Sequence, residues 1–266
     1  MAEDIMHLGL VDEGEIELDK AALEIAALDN AQADLARYLD LLDQITERLR
    51  AEAATATASA EQAARLAQVL ATEFGFEGDR TTYDDPANAD LIRVLDRRRG
   101  LPIALAILYV AMARRVGWTA HALNVPGHVL VGIGDTQPLV IDPFNGGVVL
   151  QPWQLRALVQ TALGHQGAVG REHVAPMPNR AVLVRLMMNQ ATRAELAREA
   201  DRALTVLRRI TVVAPGYSFG WWERARLERG AGDIPAARMS LSSMLETTRD
   251  PALRTRVMGE LAALAG

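Results

Sequence analysis

Residues 103–116 constrain the fold more strongly than any other segment, because nearly all of them are apolar. The only charged residues, Arg114 and Arg115, stand near its end, and Gly117 follows. A helix that is apolar around its whole circumference is a buried one. The segment, which Pro102 opens, therefore predicts a helix at the centre of a hydrophobic core.

The hydrophobic pattern changes from helical spacing to alternation directly after this segment. Residues 119–125, 128–133 and 138–141 predict three short strands. We expect these strands to form an antiparallel sheet that packs against the buried helix. Helical spacing dominates on both sides of this region. Before it, residues 62–74 and 87–99 predict two helices that end at Gly75 and Gly100. The chain is therefore predicted to be α+β, with a helical N-terminal region and a helical C-terminal module.

Residues 180–265, in the C-terminal region, contain a weak internal repeat with a period of 34 residues. Small residues where two helices cross, with a proline that ends a helix, are features of the tetratricopeptide helix pair, which has this period. An alanine-rich helical tail also produces such matches by chance, which is the alternative. The matched positions are Ala191, Ala203 and Pro215 in one unit and Ala225, Ala237 and Arg249, with Pro251 nearby, in the next.

Composition excludes several classes of protein. The formal net charge of −6 argues against a general nucleic-acid-binding protein. No apolar run reaches the roughly 18 residues of a transmembrane helix, and only acidic charges precede Lys20, the reverse of a signal peptide. The sequence also lacks cysteine, so we expect no disulfide. Together these features lead us to expect a bacterial cytoplasmic protein that binds neither membrane nor nucleic acid.

The absence of certain residue types also excludes catalysis by a cysteine or serine nucleophile in the central region. There is no cysteine, and no serine occurs between Ser59 and Ser218, so neither side chain supplies a nucleophile in the central region. The histidines show no recognised metal-binding spacing, and no phosphate-binding glycine loop is present. We therefore expect no cofactor and no metal. The alternative is a metal site at His121 and His128, which lie on consecutive predicted strands, completed by a distant third ligand.

Three central positions nevertheless have the order of a catalytic triad. The sequence Gly-Leu-Pro at 100–102 begins the buried helix, His128 begins the second predicted strand, and Asp142 follows the third. At the N-terminus of a helix the pKa of a nucleophile is lowered, and a carboxylate orients an imidazole base. A histidine–aspartate pair can equally be a structural hydrogen bond, and this alternative stays open.

Five segments together resemble the SirB family of bacterial proteins, which are transglutaminase-like and often carry tetratricopeptide-type helices at the C-terminus. The resemblance covers residues 20–165 and implies a transglutaminase-like (papain-like) core. In catalytic members of the wider superfamily a cysteine begins the buried helix; the matching residue here is Pro102, while His128 and Asp142 match the catalytic histidine and aspartate. The segments are 74–78 (Phe-Gly-Phe-Glu-Gly), 83–88 (Tyr-Asp-Asp-Pro-Ala-Asn), 95–103 (Leu-Asp-Arg-Arg-Arg-Gly-Leu-Pro-Ile), 124–128 (Asn-Val-Pro-Gly-His) and 141–147 (Ile-Asp-Pro-Phe-Asn-Gly-Gly).

We therefore expect three regions: an N-terminal helical region at 1–60, a transglutaminase-like core at 61–170 and a tetratricopeptide-like module at 180–266. Our hypothesis is a regulatory pseudoenzyme that binds a peptide or protein partner. The alternatives are a hydrolase or transferase in which His128 and Asp142 activate water, and a scaffold that binds through the helical module only. Structural roles in capping and turns are the alternative for several of the candidate pocket or partner residues, which are Tyr83, Asn88, Arg98, Asn124, Asn145 and Trp221.

Overall fold

A computed structural model describes residues 2–135, 138–163, 170 and 174–264. Contacts divide the chain into two compact units. The first is Ile16–Leu183, and the second combines Met1–Glu15 with Val184–Gly266. The division into three regions stays a prediction, and the expected end of the core near residue 170 adjoins residues outside the described ranges.

Helices dominate the first unit. Its α-helices are α1 (Leu18–Ala27), α2 (Leu35–Ala53), α3 (Ser59–Leu66), α4 (Leu91–Arg97), α5 (Pro102–Arg115) and α6 (Pro152–Leu163). Two short strands, β1 (Glu77–Gly78) and β2 (Arg99–Gly100), pair in parallel. A separate antiparallel sheet has the strand order β3 (Ala120–Val125), β4 (His128–Ile133), β5 (Leu139–Asp142) and β6 (Val148–Leu150). The predicted α+β class with a small antiparallel sheet is confirmed.

Helix α5 lies at the centre of the first unit's core. Every residue from Pro102 to Ala113 is buried, and the helix packs against α1, α2, β3 and β4. The helix ends where Gly117 takes a φ of +83° and the amide of Trp118 donates to the carbonyl of Ala113 at 2.9 Å. The apolar segment is thus the buried central helix that the sequence predicts.

The antiparallel sheet has a strand that the sequence analysis missed. Gly146 and Gly147 have φ angles of +71° and +78°, in the left-handed region that favours glycine. They reverse the chain, so that β6 returns alongside β5 and Val148 lies opposite Asp142. A strand of three residues is too short to show an alternating pattern.

Two helical segments differ from the regular helices that the sequence predicts. Helix α3 continues as a π-helical stretch, Ala67–Glu73. The single helix expected from residue 87 to residue 99 is wrong: a 3-10 helix, Pro86–Ala89, precedes α4. The Asp90 side chain separates the two, because it accepts a hydrogen bond from the backbone amide of Arg93 at 3.1 Å and caps α4.

Five further helices account for most of the second unit. These are α7 (Asn179–Leu196, of which Val184 onward belongs here), α8 (Ala200–Val213), α9 (Ser218–Gly230), α10 (Ile234–Thr247) and α11 (Pro251–Ala263). Helices α8 and α10 each span 14 residues, and α8 begins 34 residues before α10 does. The 3-10 helix Ala2–Gly9 packs against α8.

Candidate functional site

His128 and Asp142 meet because the strands that carry them are antiparallel neighbours. His128 is the first residue of β4, and Asp142 is the last residue of β5. The imidazole Nε2 lies 3.0 Å from the Asp142 Oδ1. The His128 side chain is 16% exposed and that of Asp142 only 2%. The carboxylate is therefore shielded, while the imidazole keeps contact with solvent.

Asp142 also organises the turn that follows it. Its carboxylate caps the 3-10 helix Pro143–Asn145 and accepts hydrogen bonds from the Phe144 amide at 3.0 Å, the Asn145 amide at 3.3 Å and the Asn145 Nδ2 at 2.6 Å. Burial raises the pKa of Asp142, but the hydrogen bonds from His128 and Asn145 outweigh burial and hold this pKa below its usual range. Asp142 is thus ionised at neutral pH and serves both the dyad and the turn.

Pro102, the position matched to the cysteine, is the first residue of α5 and is buried. The amide of the preceding Leu101 donates to the Asn88 carbonyl at 2.9 Å, which ties the start of the helix to the loop before α4. Proline has neither a nucleophilic atom nor an N–H group. This position therefore supplies no covalent chemistry.

Tyr109 is a buried polar residue near the dyad that the sequence analysis did not single out. It lies in α5, two helical turns after Pro102, and is fully buried. Among the described residues its hydroxyl has no hydrogen-bond partner. A Cβ added at Gly147 would lie 3.0 Å from this hydroxyl. Burial and the negative charge of Asp142 raise the pKa of Tyr109, so the phenol stays neutral.

The Asn145 side chain connects the dyad to Arg80. Its Nδ2 donates to Asp142, and its Oδ1 accepts a hydrogen bond from the Arg80 Nη2. The Arg80 guanidinium also lies over the Phe144 ring, 5.7 Å from its centroid. The same ring makes an edge contact with His128, at 6.0 Å between ring centroids.

A cleft of about 410 Å³ opens beside this group of side chains. Its walls come from β1 and the loop after it, from β2 and from the turn after β5. Phe144 belongs both to the wall of the cleft and to the contact with His128, whereas Pro102, His128 and Asp142 do not line the cleft. The lining residues are Ala71, Phe76, Glu77, Gly78, Asp79, Arg80, Thr81, Arg99, Phe144, Asn145 and Gly146.

Two predicted contact residues, Asn88 in the 3-10 helix Pro86–Ala89 and Tyr83 in the loop before it, lie beside the cleft without lining it. Asn88 is fully buried, and its Nδ2 donates to the carbonyls of Thr82, at 2.6 Å, and Tyr83, at 3.3 Å. The Tyr83 ring is exposed and makes an edge contact with Phe144, 5.8 Å between centroids. Asn88 thus supports the loop, and Tyr83 extends the aromatic contact outward. Asn145, by contrast, is a lining residue.

The remaining candidates lie elsewhere. Arg98 ends α4 with a φ of +59°, and its guanidinium lies 4.8 Å from the centroid of the Phe76 ring. Asn124 is an exposed residue of β3. Trp221 belongs to the second unit, is half-buried, and donates through its Nε1 to the Pro215 carbonyl at 2.8 Å. The structure does not bring these three residues to the cleft.

The residues that build the cleft were largely missed from the sequence. Arg80 stands in a polar loop, where no periodic pattern exists, and Phe144 enters the sequence analysis only within the 141–147 segment of the family resemblance. Tyr109 carried a usable signal, since it is the only residue with a hydroxyl group in an otherwise apolar helix.

Metal binding and membrane spanning find no support in the described part of the chain. There, no group of three or more histidine, aspartate or glutamate side chains could hold a metal ion. His121 lies beside Arg114, with 3.4 Å between Nδ1 and Nη2; burial, and then this arginine, lower the pKa of His121. Among the same residues no helix combines the length and apolarity that crossing a bilayer requires.

Comparison with known proteins identifies the family. Residues 36–188, more than half of the chain, match the family model of the transglutaminase-like superfamily. A UPF0162 protein from Xylella fastidiosa (strain 9a5c) is 31% identical over 90% of this chain and 86% of its own length. The chain is a transglutaminase-like protein of the UPF0162 family. The name SirB stays a prediction.

Further proteins similar to this transglutaminase-like chain include a second UPF0162 protein, an F-box protein and menin. One from Pseudomonas aeruginosa is 28% identical over 92% of this chain and 91% of its own length. Human F-box only protein 21 is 36% identical over 63 residues, which are 24% of this chain and 10% of that protein. A crystal structure of menin aligns with 98% of this chain and 74% of menin at 12% identity, with a TM-score of 0.44.

Proposed function

We propose that this protein is a non-catalytic transglutaminase-like protein that binds a peptide or protein partner through the cleft beside Phe144. The observation that carries the proposal is a buried proline, Pro102, at the position matched to the cysteine, together with an intact His128–Asp142 pair and an open cleft. A groove with an aromatic wall and a few polar groups suits a peptide. The cytoplasmic location and the absence of nucleic-acid and cofactor binding belong to the same proposal.

The second unit is proposed to be a tetratricopeptide-like module that adds a second binding surface. The support is its period: α8 and α10 have equal lengths at a displacement of 34 residues. The small residues expected at helix crossings, Ala203 in α8 and Ala237 in α10, are both fully buried. The proposal that this module serves a regulatory protein of the SirB type is based on the sequence resemblance alone.

The second candidate function is a hydrolase that uses water instead of a thiol. The observation that favours it is the partial exposure of His128 together with an ionised Asp142 bound to its Nε2. A carboxylate in this position orients an imidazole for general-base catalysis. Unlike the binding proposal, this candidate requires turnover that depends on His128.

The binding proposal is tested by selecting, from a random peptide library, peptides that bind the wild-type protein. A Thr81→Trp variant should abolish binding of the selected peptides, because Thr81 lines the cleft and a large side chain there would fill it. The matched control is Thr161→Trp, at an exposed threonine of α6 that does not line the cleft, which should bind as the wild type does. Equal binding by Thr81→Trp would refute the cleft as the site.

A parallel assay of ammonia or amine release from the selected peptides separates the two candidates. The binding proposal expects no release above that of buffer. Release that is present in the wild type and disappears in His128→Ala would establish the hydrolase instead. To exclude unfolding as the cause, the urea midpoint of His128→Ala is measured alongside.

A further inference from the structure

One arginine on the wall of the cleft has no ion pair within the described part of the chain. Asp79 is buried and pairs with Arg97, at 2.8 Å from its Nη2. Glu77 pairs with Arg99, also at 2.8 Å. Arg80, between them on the same wall, has no ion-pair partner among the described residues. Arg97 also lies 3.6 Å from Asp85, so these six groups carry no net charge. Arg80 differs from Arg97 and Arg99 in having no carboxylate partner of its own among the described residues.

Contacts within the wall restrict the position of Arg80. The Asn145 Oδ1 accepts one of its N–H groups, and the Phe144 ring lies under the guanidinium. A guanidinium has five N–H donors in a rigid planar fork, so one contact to Asn145 leaves donors for a ligand. Restriction before binding lowers the entropy cost of capturing that ligand.

The orientation of the Asn145 amide depends on Asp142. A carboxylate only accepts hydrogen bonds and a guanidinium only donates them, so a single amide orientation satisfies both. In that orientation Nδ2 faces the Asp142 Oδ2, at 2.6 Å, and Oδ1 faces Arg80. His128 occupies the other oxygen of Asp142. One chain of hydrogen bonds thus runs from the dyad to the cleft wall.

We infer that the His128–Asp142 pair, in the absence of a nucleophile, positions Arg80 through Asn145 to bind a carboxylate of a peptide partner. The inference rests on the proposed peptide-binding function and specifies the partner: a segment with an aspartate or glutamate side chain, or with a free C-terminal carboxylate. The planar fork of arginine matches a carboxylate. A dianionic phosphate is disfavoured, because Glu77 and Asp79 lie on the same wall.

An array of short peptides, used with the folded full-length chain, tests this inference. Each peptide with one aspartate or glutamate, acetylated and amidated at its ends, is paired with its asparagine or glutamine counterpart. A third version places a free carboxylate at the C-terminus only, and a fourth carries phosphoserine. Wild-type protein should prefer one of the two carboxylate versions over the uncharged peptide by about ten-fold or more.

The variants identify the residues responsible. Arg80→Gln should bring this preference to about one, whereas Arg50→Gln, an exposed α2 residue with the same change in net charge, should keep it. Asn145→Ala should lower the ratio of affinities for carboxylate and amide peptides, a ratio that a general loss of folded protein does not change.

Three results would contradict the inference in distinguishable ways. Peptide binding with no carboxylate preference, or with a preference that survives Arg80→Gln, overturns the inference and leaves the proposed function standing. An Arg80-dependent preference for phosphoserine overturns the assignment of the ligand as a carboxylate. Failure of every peptide to bind the wild-type protein overturns the inference and the proposed function together.

Discussion

Replacement of Tyr109 by phenylalanine should stabilise the protein, although tyrosine hydroxyls in protein cores are usually hydrogen-bonded. The Tyr109 hydroxyl is fully buried and has no partner among the described residues. A buried hydroxyl without a hydrogen bond costs about 1–3 kcal/mol relative to one that is solvated. Phenylalanine removes this group and keeps the ring that fills the core of the first unit.

The gain is reduced by the small void left where the oxygen was. If the void is about 15 Å³, it costs about 0.4 kcal/mol at about 24 cal/mol per Å³. The expected net change for Tyr109→Phe is therefore a gain of about 1 kcal/mol in the free energy of unfolding. For a folding unit of this size that corresponds to roughly 2–4 °C in melting temperature.

Tyr38→Phe is the matched control, with the opposite expected sign. The Tyr38 side chain is also buried, but its hydroxyl donates to Asp96, at 3.0 and 3.2 Å from the two carboxylate oxygens. Loss of this hydrogen bond should cost about 1 kcal/mol. Both variants are compared with wild type by urea unfolding followed by circular dichroism. If Tyr109→Phe lost as much stability as Tyr38→Phe, the hydroxyl would have a partner in solution and the reasoning would be refuted.

Three further predictions concern the turn and the start of α5. Gly147→Ala should reduce the free energy of unfolding in urea by about 1–3 kcal/mol more than Gly146→Ala does. A Cβ added at Gly147 would lie 2.8 Å from the Cβ of Ala67, whereas the nearest atom to a Cβ added at Gly146 is 3.8 Å away. Equal losses of stability would contradict this prediction. Since folding lowers the pKa of Asp142, its contribution to stability is complete above the ordinary value of 3.8 and is lost as the pH falls through the lower folded value. The stability difference between wild type and Asp142→Asn should therefore shrink as the pH falls from about 5 to about 2, and a constant difference over this range would count against the prediction. Pro102→Cys would introduce a single thiol, because the sequence has no cysteine, and would place it at a buried position. Ellman's reagent should therefore react slowly with the native protein and rapidly with the protein in denaturant. Equal reaction rates would show that position 102 is not buried.

The sequence predicts those elements whose pattern is long or strong. Helix α5 is uniformly apolar over three turns, and β4 begins and ends at the residues expected from its alternation. The two-residue strands β1 and β2 have no period to detect, because their pairing depends on residues brought together by the fold. The expected helix at 87–99 was wrong because a local side-chain cap at Asp90 competes with helical propensity.

The same contrast applies to the candidate site: a contact between neighbouring strands could be predicted, whereas contacts between distant segments could not. The proximity of His128 and Asp142 follows from their places on adjacent antiparallel strands. The cleft could not be predicted, because its walls depend on a close approach between distant segments. Gly78 makes this approach possible: a Cβ there would lie 2.5 Å from atoms of Phe144. Sequence spacing carries no information about such a contact.

The groups around Asp142 are needed whether or not residue 102 is a nucleophile. A buried carboxylate that is ionised requires hydrogen-bond donors, and leaving it without them costs several kcal/mol. His128 and Asn145 supply two of its side-chain hydrogen bonds, and the Phe144 and Asn145 amides supply backbone ones. Those hydrogen bonds hold the turn that places Phe144 and Asn145 on the wall of the cleft. The aspartate that would orient a catalytic imidazole therefore also orients the wall of the cleft, and this second role does not depend on a nucleophile at position 102.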